Sequence, residues 1–166
     1  MNFHEIYTRL KERFGGAVID KNEDVHDPFI VIDHDAVSDI MALIKNDDAF
    51  DCSYLACISG VDYPEKAVID VVYHMYSYGK RHKIVLKVHV PRTNPAVPSV
   101  TSLWKGADWL EREVYDMFGV VFAGHPALRR ILCPEDWEGH PLRKDYQEPD
   151  SYHGIPNKPG KRSCNL

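Results

Sequence analysis

The residues that could do chemistry are carboxylates and imidazoles in the second half of the chain. Glu111 and Glu113 lie two positions apart, and His125 and His140 each precede a proline. Carboxylates and imidazoles are the usual groups of acid–base catalysis and of metal sites. Their spacing does not support a common site, because residues two positions apart on a helix diverge by about 200°. A stand-alone enzyme with a His/carboxylate site is therefore the minor alternative to a network of ion pairs at a surface or interface.

Recognised motifs for cofactors are absent from the sequence. There is no G-x-G-x-x-G, no P-loop and no G-x-S-x-G. Cys52, Cys57, Cys133 and Cys164 have no C-x-x-C spacing, so they do not predict a metal knuckle. We interpret them as free thiols in a reducing compartment, and we expect no catalytic residue, metal or cofactor in this chain.

Glu111 needs a partner, because on a helix it would lie beside an apolar stripe and an unpaired buried carboxylate is costly. Arg129 and Arg130 follow in the next segment, and a guanidinium pairs with a carboxylate in a two-pronged geometry. Two interpretations stay open at this point. The ion pairs either hold the following segment on its own helix or cross a boundary between two proteins of an assembly.

Composition excludes several classes of partner. Twenty Lys and Arg against 25 Asp and Glu give a net charge of -5, which argues against nucleic-acid binding. No uncharged apolar stretch approaches the roughly 18 residues that span a membrane, so we expect membrane association only through other proteins. The first residues show no basic segment followed by an apolar core, so we expect no signal peptide and a cytoplasmic location.

Hydrophobic periodicity predicts the elements that position these residues. Helices are predicted over 3–14, 36–45 and 100–118, and strands over 17–20, 29–33, 53–61, 66–76 and 83–90. Alternation in the last strand predicts one buried and one solvent-facing side. On the third helix, Asp108, Arg112 and Asp116 are four apart and are expected to pair along its surface.

These elements predict an α+β fold, as an α/β-type single domain with a mixed, largely antiparallel sheet. Helices are expected on one face of the sheet, and the core domain is predicted over 1–118. Residues 119–166 are predicted to form an extended C-terminal arm, since six of the eleven prolines lie between Pro126 and Pro159. The arm also contains Trp137 and Tyr146, residue types that anchor interfaces and are scarce in disordered linkers. Whether it covers its own core or packs on partner subunits is open from these residues alone.

Two blocks of the sequence resemble a known family. Residues 111–119, followed by His125-Pro126 and by Leu128 to Leu132, resemble the signature of the 30-kilodalton subunit of respiratory complex I. This is the C subunit of the proton-translocating NADH:quinone oxidoreductase, and residues 138–146 resemble its second block. As family signature and expected partner interface, the resemblance marks Glu111, Arg112, Glu113, Asp116, His125, Arg129, Arg130, His140, Arg143, Lys144 and Asp145.

The resemblance implies a non-redox structural subunit in the peripheral arm of that complex. The protein would lie on the cytoplasmic side of the inner membrane and pack against the D subunit. FMN, iron–sulfur clusters and quinone would be bound by the assembled complex, which couples electron transfer from NADH to proton translocation. This chain would belong to the enzyme only as one of its subunits. The alternative is the equivalent scaffold of a membrane-bound nickel–iron hydrogenase or a related dehydrogenase that does not use NADH.

Overall fold

The computed structural model describes residues 1–157; Cys164 and the end of the predicted arm, residues 158–166, lie outside the described residues. In chain order the elements are α1 (Phe3–Phe14), β1 (Val18–Asn22), β2 (Phe29–Ile32), α2 (Val37–Asn46), β3 (Tyr54–Tyr63), β4 (Val68–Ser77), β5 (His82–Pro91), β6 (Ala96–Pro98), α3 (Ala107–Phe118), β7 (Val121–Ala123), β8 (Ser151–Tyr152) and β9 (Ile155–Pro156). Within this range, every helix is too short or too polar to cross a bilayer.

The first helix begins and ends where the sequence predicts. A capping box fixes its start, since the Asn2 side chain accepts from the Glu5 N–H at 2.9 Å and the Glu5 carboxylate accepts from the Asn2 N–H at 3.0 Å. Gly15 ends it with a φ of 52°, which favours glycine. The helix buries Ile6 and Leu10, so its apolar stripe faces the core as expected.

The main sheet has five strands in the order β1-β2-β5-β4-β3. Strands β2 and β5 are parallel, and the other three neighbouring pairs are antiparallel. The predicted α+β class with a mixed, largely antiparallel sheet is therefore confirmed. The order places β5 at the centre and leaves β1 and β3 as the two edges.

One face of this sheet holds the hydrophobic core. Ile58, Tyr73 and Leu86 are aligned across β3, β4 and β5 on this face, and all three belong to the same buried cluster as residues of α1, α2 and α3. On the opposite face, Lys83 and His89 are exposed as the alternation predicts. Val85 on that face is nevertheless buried, because β5 is flanked by strands on both sides.

The third helix begins later than predicted, at Ala107 rather than directly after Ser99. Residues 96–98 pair in parallel with β7, and Val97 lies opposite Phe122. The chain then turns, with the Trp104 N–H donating to the Val100 carbonyl at 3.0 Å. The apolar spacing runs on through this turn, so the sequence alone predicts a longer helix than the structure has.

A candidate interface of the third helix and the arm

The arm completes the C-terminal end of α3. Helix ends leave their last carbonyl groups without partners inside the helix. Gly119 ends α3 with a φ of 76°, and the chain then turns back. The Leu142 N–H donates to the Met117 carbonyl at 3.1 Å, and Arg143 Nε donates to the Phe118 carbonyl at 2.7 Å. A cation at this position also suits the negative end of the helix dipole.

His140 contributes a third bond to this helix end. Its Nδ1 donates to the main-chain oxygen of Asp116 at 3.0 Å, and its ring meets Tyr115 edge-on at 6.4 Å between centroids. Burial of the ring lowers the pKa of His140, because the charged form loses hydration. A methyl group at Gly119 would lie 2.5 Å from His140 Nε2, so only glycine fits beneath the ring.

Asp116 is the main anchor between α3 and the arm. Its Oδ2 accepts from the successive main-chain N–H groups of Ile131, Leu132 and Cys133 at 3.0, 2.8 and 2.8 Å. Its Oδ1 accepts from Arg130 Nη1 at 2.6 Å. Burial on its own would raise the pKa of Asp116, but the three N–H groups and the guanidinium outweigh it and lower the pKa below its ordinary value.

Arg112 holds the same stretch of the arm through main-chain oxygens. Its Nε donates to the Arg129 carbonyl and its Nη2 to the Arg130 carbonyl, both at 3.2 Å. The predicted pairing of Asp108, Arg112 and Asp116 along the helix is therefore wrong. These side chains turn toward the arm, because it offers donors and acceptors that would otherwise be buried without partners.

His125 binds the arm to the beginning of α3. Its Nδ1 accepts from the Ala127 N–H at 3.0 Å, which assigns the proton of the neutral ring to Nε2. Nε2 donates to the Asp108 main-chain oxygen at 3.2 Å and lies 3.0 Å from Asp108 Oδ1. The arm is thus attached near His125 to the first turn of α3.

Glu111 has partners other than the predicted ones. It is fully buried, and it accepts from Ser99 Oγ at 2.7 Å and from the Val100 N–H at 2.7 Å. The predicted pairing with Arg129 and Arg130 is therefore wrong, since Arg130 binds Asp116 instead. Burial raises the pKa of Glu111, and the two hydrogen bonds offset only part of this effect. Glu111 holds the turn that precedes α3.

A second anchor, which the sequence did not reveal, attaches the end of the arm to the sheet. Arg92 donates to Asp62 at 2.6 Å through Nε and at 3.0 Å through Nη2, and it also donates to Asp145 at 2.7 Å. Asp62 Oδ2 also accepts from the Lys144 N–H at 2.8 Å. The sequence did contain one clue to this anchor, which is the charged Asp62 in an otherwise uncharged strand. In the structure Asp62 lies on the core-facing side of β3, opposite Ile69.

The contacts above leave a surface of exposed side chains around α3 and the arm. Trp109 is 63% exposed with the Arg112 guanidinium over its ring, and Leu132 and Leu142 are also exposed. Beside Leu142, a cleft of about 220 Å³ lies between α3 and β3, with Glu113 among its lining residues. Among the described residues, no ion pair engages the side chain of Glu113 or that of Arg129. We call Trp109, Glu113, Leu132 and Leu142 the docking surface.

The residues of the alternative His/carboxylate site are not brought together. Glu111 faces the turn before α3, Glu113 lines the cleft, and His140 lies at the opposite end of the helix from His125. In residues 1–157, a cluster of His and carboxylate ligand atoms within 4.8 Å of one another occurs at Asp33, His34 and Asp35. That cluster is largely exposed and far along the chain from the family signature, so it does not support the enzyme alternative.

The exposed apolar side chains beside the internally bonded helix and arm are typical of a protein that binds partners. The sequence model of the respiratory-chain NADH dehydrogenase 30-kDa subunit matches residues 30–152, and the chain belongs to this family. The C subunit of the NADH-quinone oxidoreductase of Chlorobium phaeobacteroides is 46% identical over 153 residues, which cover 90% of this chain and 91% of the relative. The corresponding protein of Chloroherpeton thalassium is 45% identical, over 92% of this chain and 64% of the relative.

Solved structures agree with this assignment. The trypsin-resistant fragment 1–134 of Nqo5 is 36% identical, with a TM-score of 0.62, and the match covers 74% of this chain and 99% of the fragment. A chain of the archaeal membrane-bound sulfane sulfur reductase has a TM-score of 0.72 over 87% of this chain and 85% of its own. At 23% identity, this second likeness shows the shared fold alone.

Proposed function

We propose that this chain is a non-redox structural subunit of the peripheral arm of a membrane-bound NADH:quinone oxidoreductase. One observation carries the proposal: most of the charged signature residues are engaged inside the chain, while apolar side chains remain exposed around them. Asp116, Arg130 and Arg143 fasten the arm to α3, and Trp109 and Leu142 face outward. Such an arrangement suits docking, because aromatic and aliphatic anchors dominate the energy of interfaces.

In this proposal, the chain takes no part in the electron transfer itself and holds other subunits in fixed relative positions. Electrons pass from NADH through FMN and iron–sulfur clusters to quinone, and we assign those groups to neighbouring subunits. The D subunit is the proposed main partner, and the arm would pack on it through the docking surface. The complex would hold the chain at the cytoplasmic side of the membrane as a peripheral protein. The names of the relatives favour this function over a hydrogenase scaffold.

The proposal is tested by purifying the tagged full-length chain from its own membranes and identifying its partners by mass spectrometry. Three forms are compared: wild type, Trp109→Ser and Tyr78→Ser. Trp109 and Tyr78 are 63% and 65% exposed, so the two substitutions remove similar exposed aromatic rings from different surfaces. Truncating an interface anchor costs about 2 kcal/mol or more, roughly a 30-fold loss of affinity. Recovery of the D subunit should fall accordingly with Trp109→Ser and stay near wild type with Tyr78→Ser.

Each outcome has a direct meaning. Recovery of the D subunit with the flavin- and cluster-bearing NADH dehydrogenase subunits would support the proposal. A nickel-bearing large subunit without an NADH-oxidising module would instead support the hydrogenase alternative. A wild-type chain that is recovered without partners would overturn the structural role. Equal recovery of the D subunit with Trp109→Ser and Tyr78→Ser would show that Trp109 is not part of the interface.

A further inference from the structure

The two edge strands of the main sheet differ in how well they are protected against pairing with another strand. Strand β1 has five residues, a register shift after Val18, and the charges of Asp20 and Lys21. Short length, bulges and charges are the devices that keep edge strands from pairing. Strand β3 has ten residues, and its one charged residue, Asp62, is engaged by Arg92. It has one register shift, near its start, between Leu55 and Cys57.

Beyond that shift, the outer edge of β3 offers a regular row of backbone groups. The strand pairs with β4 without interruption from Cys57 to Tyr63. In an antiparallel pair, every second residue directs its N–H and C=O away from its neighbour. In the part of the chain that the structure describes, no backbone group of another segment bonds to this outer side. Seven residues of edge therefore have the geometry to accept a further strand.

The cleft beside α3 lies where the side chains of an added strand would point. It has a volume of about 220 Å³, and Ile58 and Gly60 of β3 and Leu110 and Leu142 line it. Side chains of a strand alternate between the two faces of a sheet, so alternate residues of an added strand would enter this cleft. Glu113 is the one charged residue in the lining, and it is exposed. The cleft thus suits apolar side chains with a cation at its rim.

We propose that a neighbouring protein of the complex adds an extended strand to the outer edge of β3. The strand places aliphatic side chains in the cleft and a lysine or arginine beside Glu113. The inference rests on the proposed function, because it names how such a neighbour binds next to the docking surface. Main-chain hydrogen bonds give the affinity, and the cleft with its carboxylate gives the specificity.

A second copy of this chain fits the edge less well. Antiparallel self-pairing about the middle of β3 would create a two-fold axis perpendicular to the sheet. Both α3 helices would then lie on the same face and meet across the new strand pair. Each carries Glu113 next to residues Cys57 to Gly60, so two carboxylates would face each other near the axis. Like charges in opposition are destabilising, whereas a cationic partner strand is attracted.

Backbone hydrogen exchange, resolved by residue, tests the proposal. It is measured on the full-length chain alone and on the intact complex purified from membranes. In the free chain, alternate amides between Cys57 and Tyr63 should exchange rapidly, because they lack partners. In the complex the same amides should exchange at least about tenfold more slowly, as paired strand amides do. The amides of β1, at the protected edge, should exchange equally in both samples.

A pair of matched variants supplies the second measurement. Val61→Lys places a charge on the open face of the β3 edge, and Ile19→Lys does the same on β1; these residues are 36% and 56% exposed. Both variants should melt like wild type, and only Val61→Lys should reduce recovery of the partner, by several-fold.

Unchanged exchange of the β3 amides in a complex that protects Trp109 from hydroxyl-radical oxidation would overturn strand addition and leave the proposed function standing. If the complex protected neither the β3 amides nor Trp109, both strand addition and the proposed function would be overturned. Protection of β3 in a sample that contains two copies of this chain and no other protein would assign the edge to self-pairing and overturn the proposal.

Discussion

Replacing Asp116 with asparagine should release the arm from α3. The two oxygens of the carboxylate have different partners: Oδ2 accepts from three main-chain N–H groups, and Oδ1 accepts from Arg130. An asparagine has one acceptor oxygen and one NH2 group. If the oxygen faces the N–H groups, the NH2 group opposes the Arg130 guanidinium; in the flipped rotamer, it opposes the N–H groups.

The size of the effect follows from these contacts. Removing one partner of a buried ion pair costs about 3–5 kcal/mol, and hydrogen bonds to charged groups contribute about 1.5–3 kcal/mol each. Arg130 retains 14% side-chain exposure, so water compensates it in part. We therefore take the lower end, about 3 kcal/mol, which raises the population of the released arm on the order of 100-fold.

Limited trypsin digestion measures this population. Cleavage after Arg129 and Arg130 requires the arm to leave its site, because the Arg130 guanidinium and the Ile131 N–H are bound to Asp116. When opening and closing are fast, the cleavage rate follows the open population. Asp116→Asn should be cut on the order of 100-fold faster. The control is Asp145→Asn in the same arm, since a solvent-exposed ion pair contributes little to stability and predicts at most a roughly fivefold change. Equal rates for the two variants would refute the assignment of Asp116 as the main anchor.

Two further substitutions test the interior of the site. Burial raises the pKa of Glu111 above its ordinary 4.5, so its contribution to stability is complete below that pH and is lost as the pH rises through the folded-state pKa. Melting curves between pH 4 and 8 should show this decline in wild type and not in Glu111→Gln, which keeps an acceptor for the Val100 N–H. Gly119→Ala should lower the melting temperature more than Gly124→Ala, because both positions have positive φ but only Gly119 lies against His140. Equal losses would show that the ring contact is unimportant.

Local patterns in the sequence predict most of the core domain correctly. The first two helices and the five strands of the main sheet lie within a few residues of their predicted bounds. Each depends on a periodicity that repeats within a short window, and burial of one face follows directly from it. The predicted start of α3 was wrong because the Glu111 side chain holds Ser99 and Val100 in a turn, and no local pattern reports that contact.

The hydrogen bonds and ion pairs of the signature residues were predicted only in part. Sequence reasoning pairs side chains of opposite charge, and it therefore matched Glu111 with Arg129 or Arg130. In the structure Arg112, His140 and Arg143 donate to main-chain oxygens, and Asp116 accepts from main-chain N–H groups. Every residue has these backbone groups, so the identity of the residues gives no signal for such partners.

The capping of α3 by the arm has a consequence for the order of events during synthesis. The donors to the last turn of α3 come from residues 140–143, which the ribosome adds about 25 residues after that turn, or one to five seconds later at typical rates of ~5–20 residues per second. The Asp116 carboxylate has no arm to bind until residues 130–133 have been added, and it must stay hydrated before then. A chain cut short before residue 140 lacks the donors from His140, Leu142 and Arg143 that complete the end of α3.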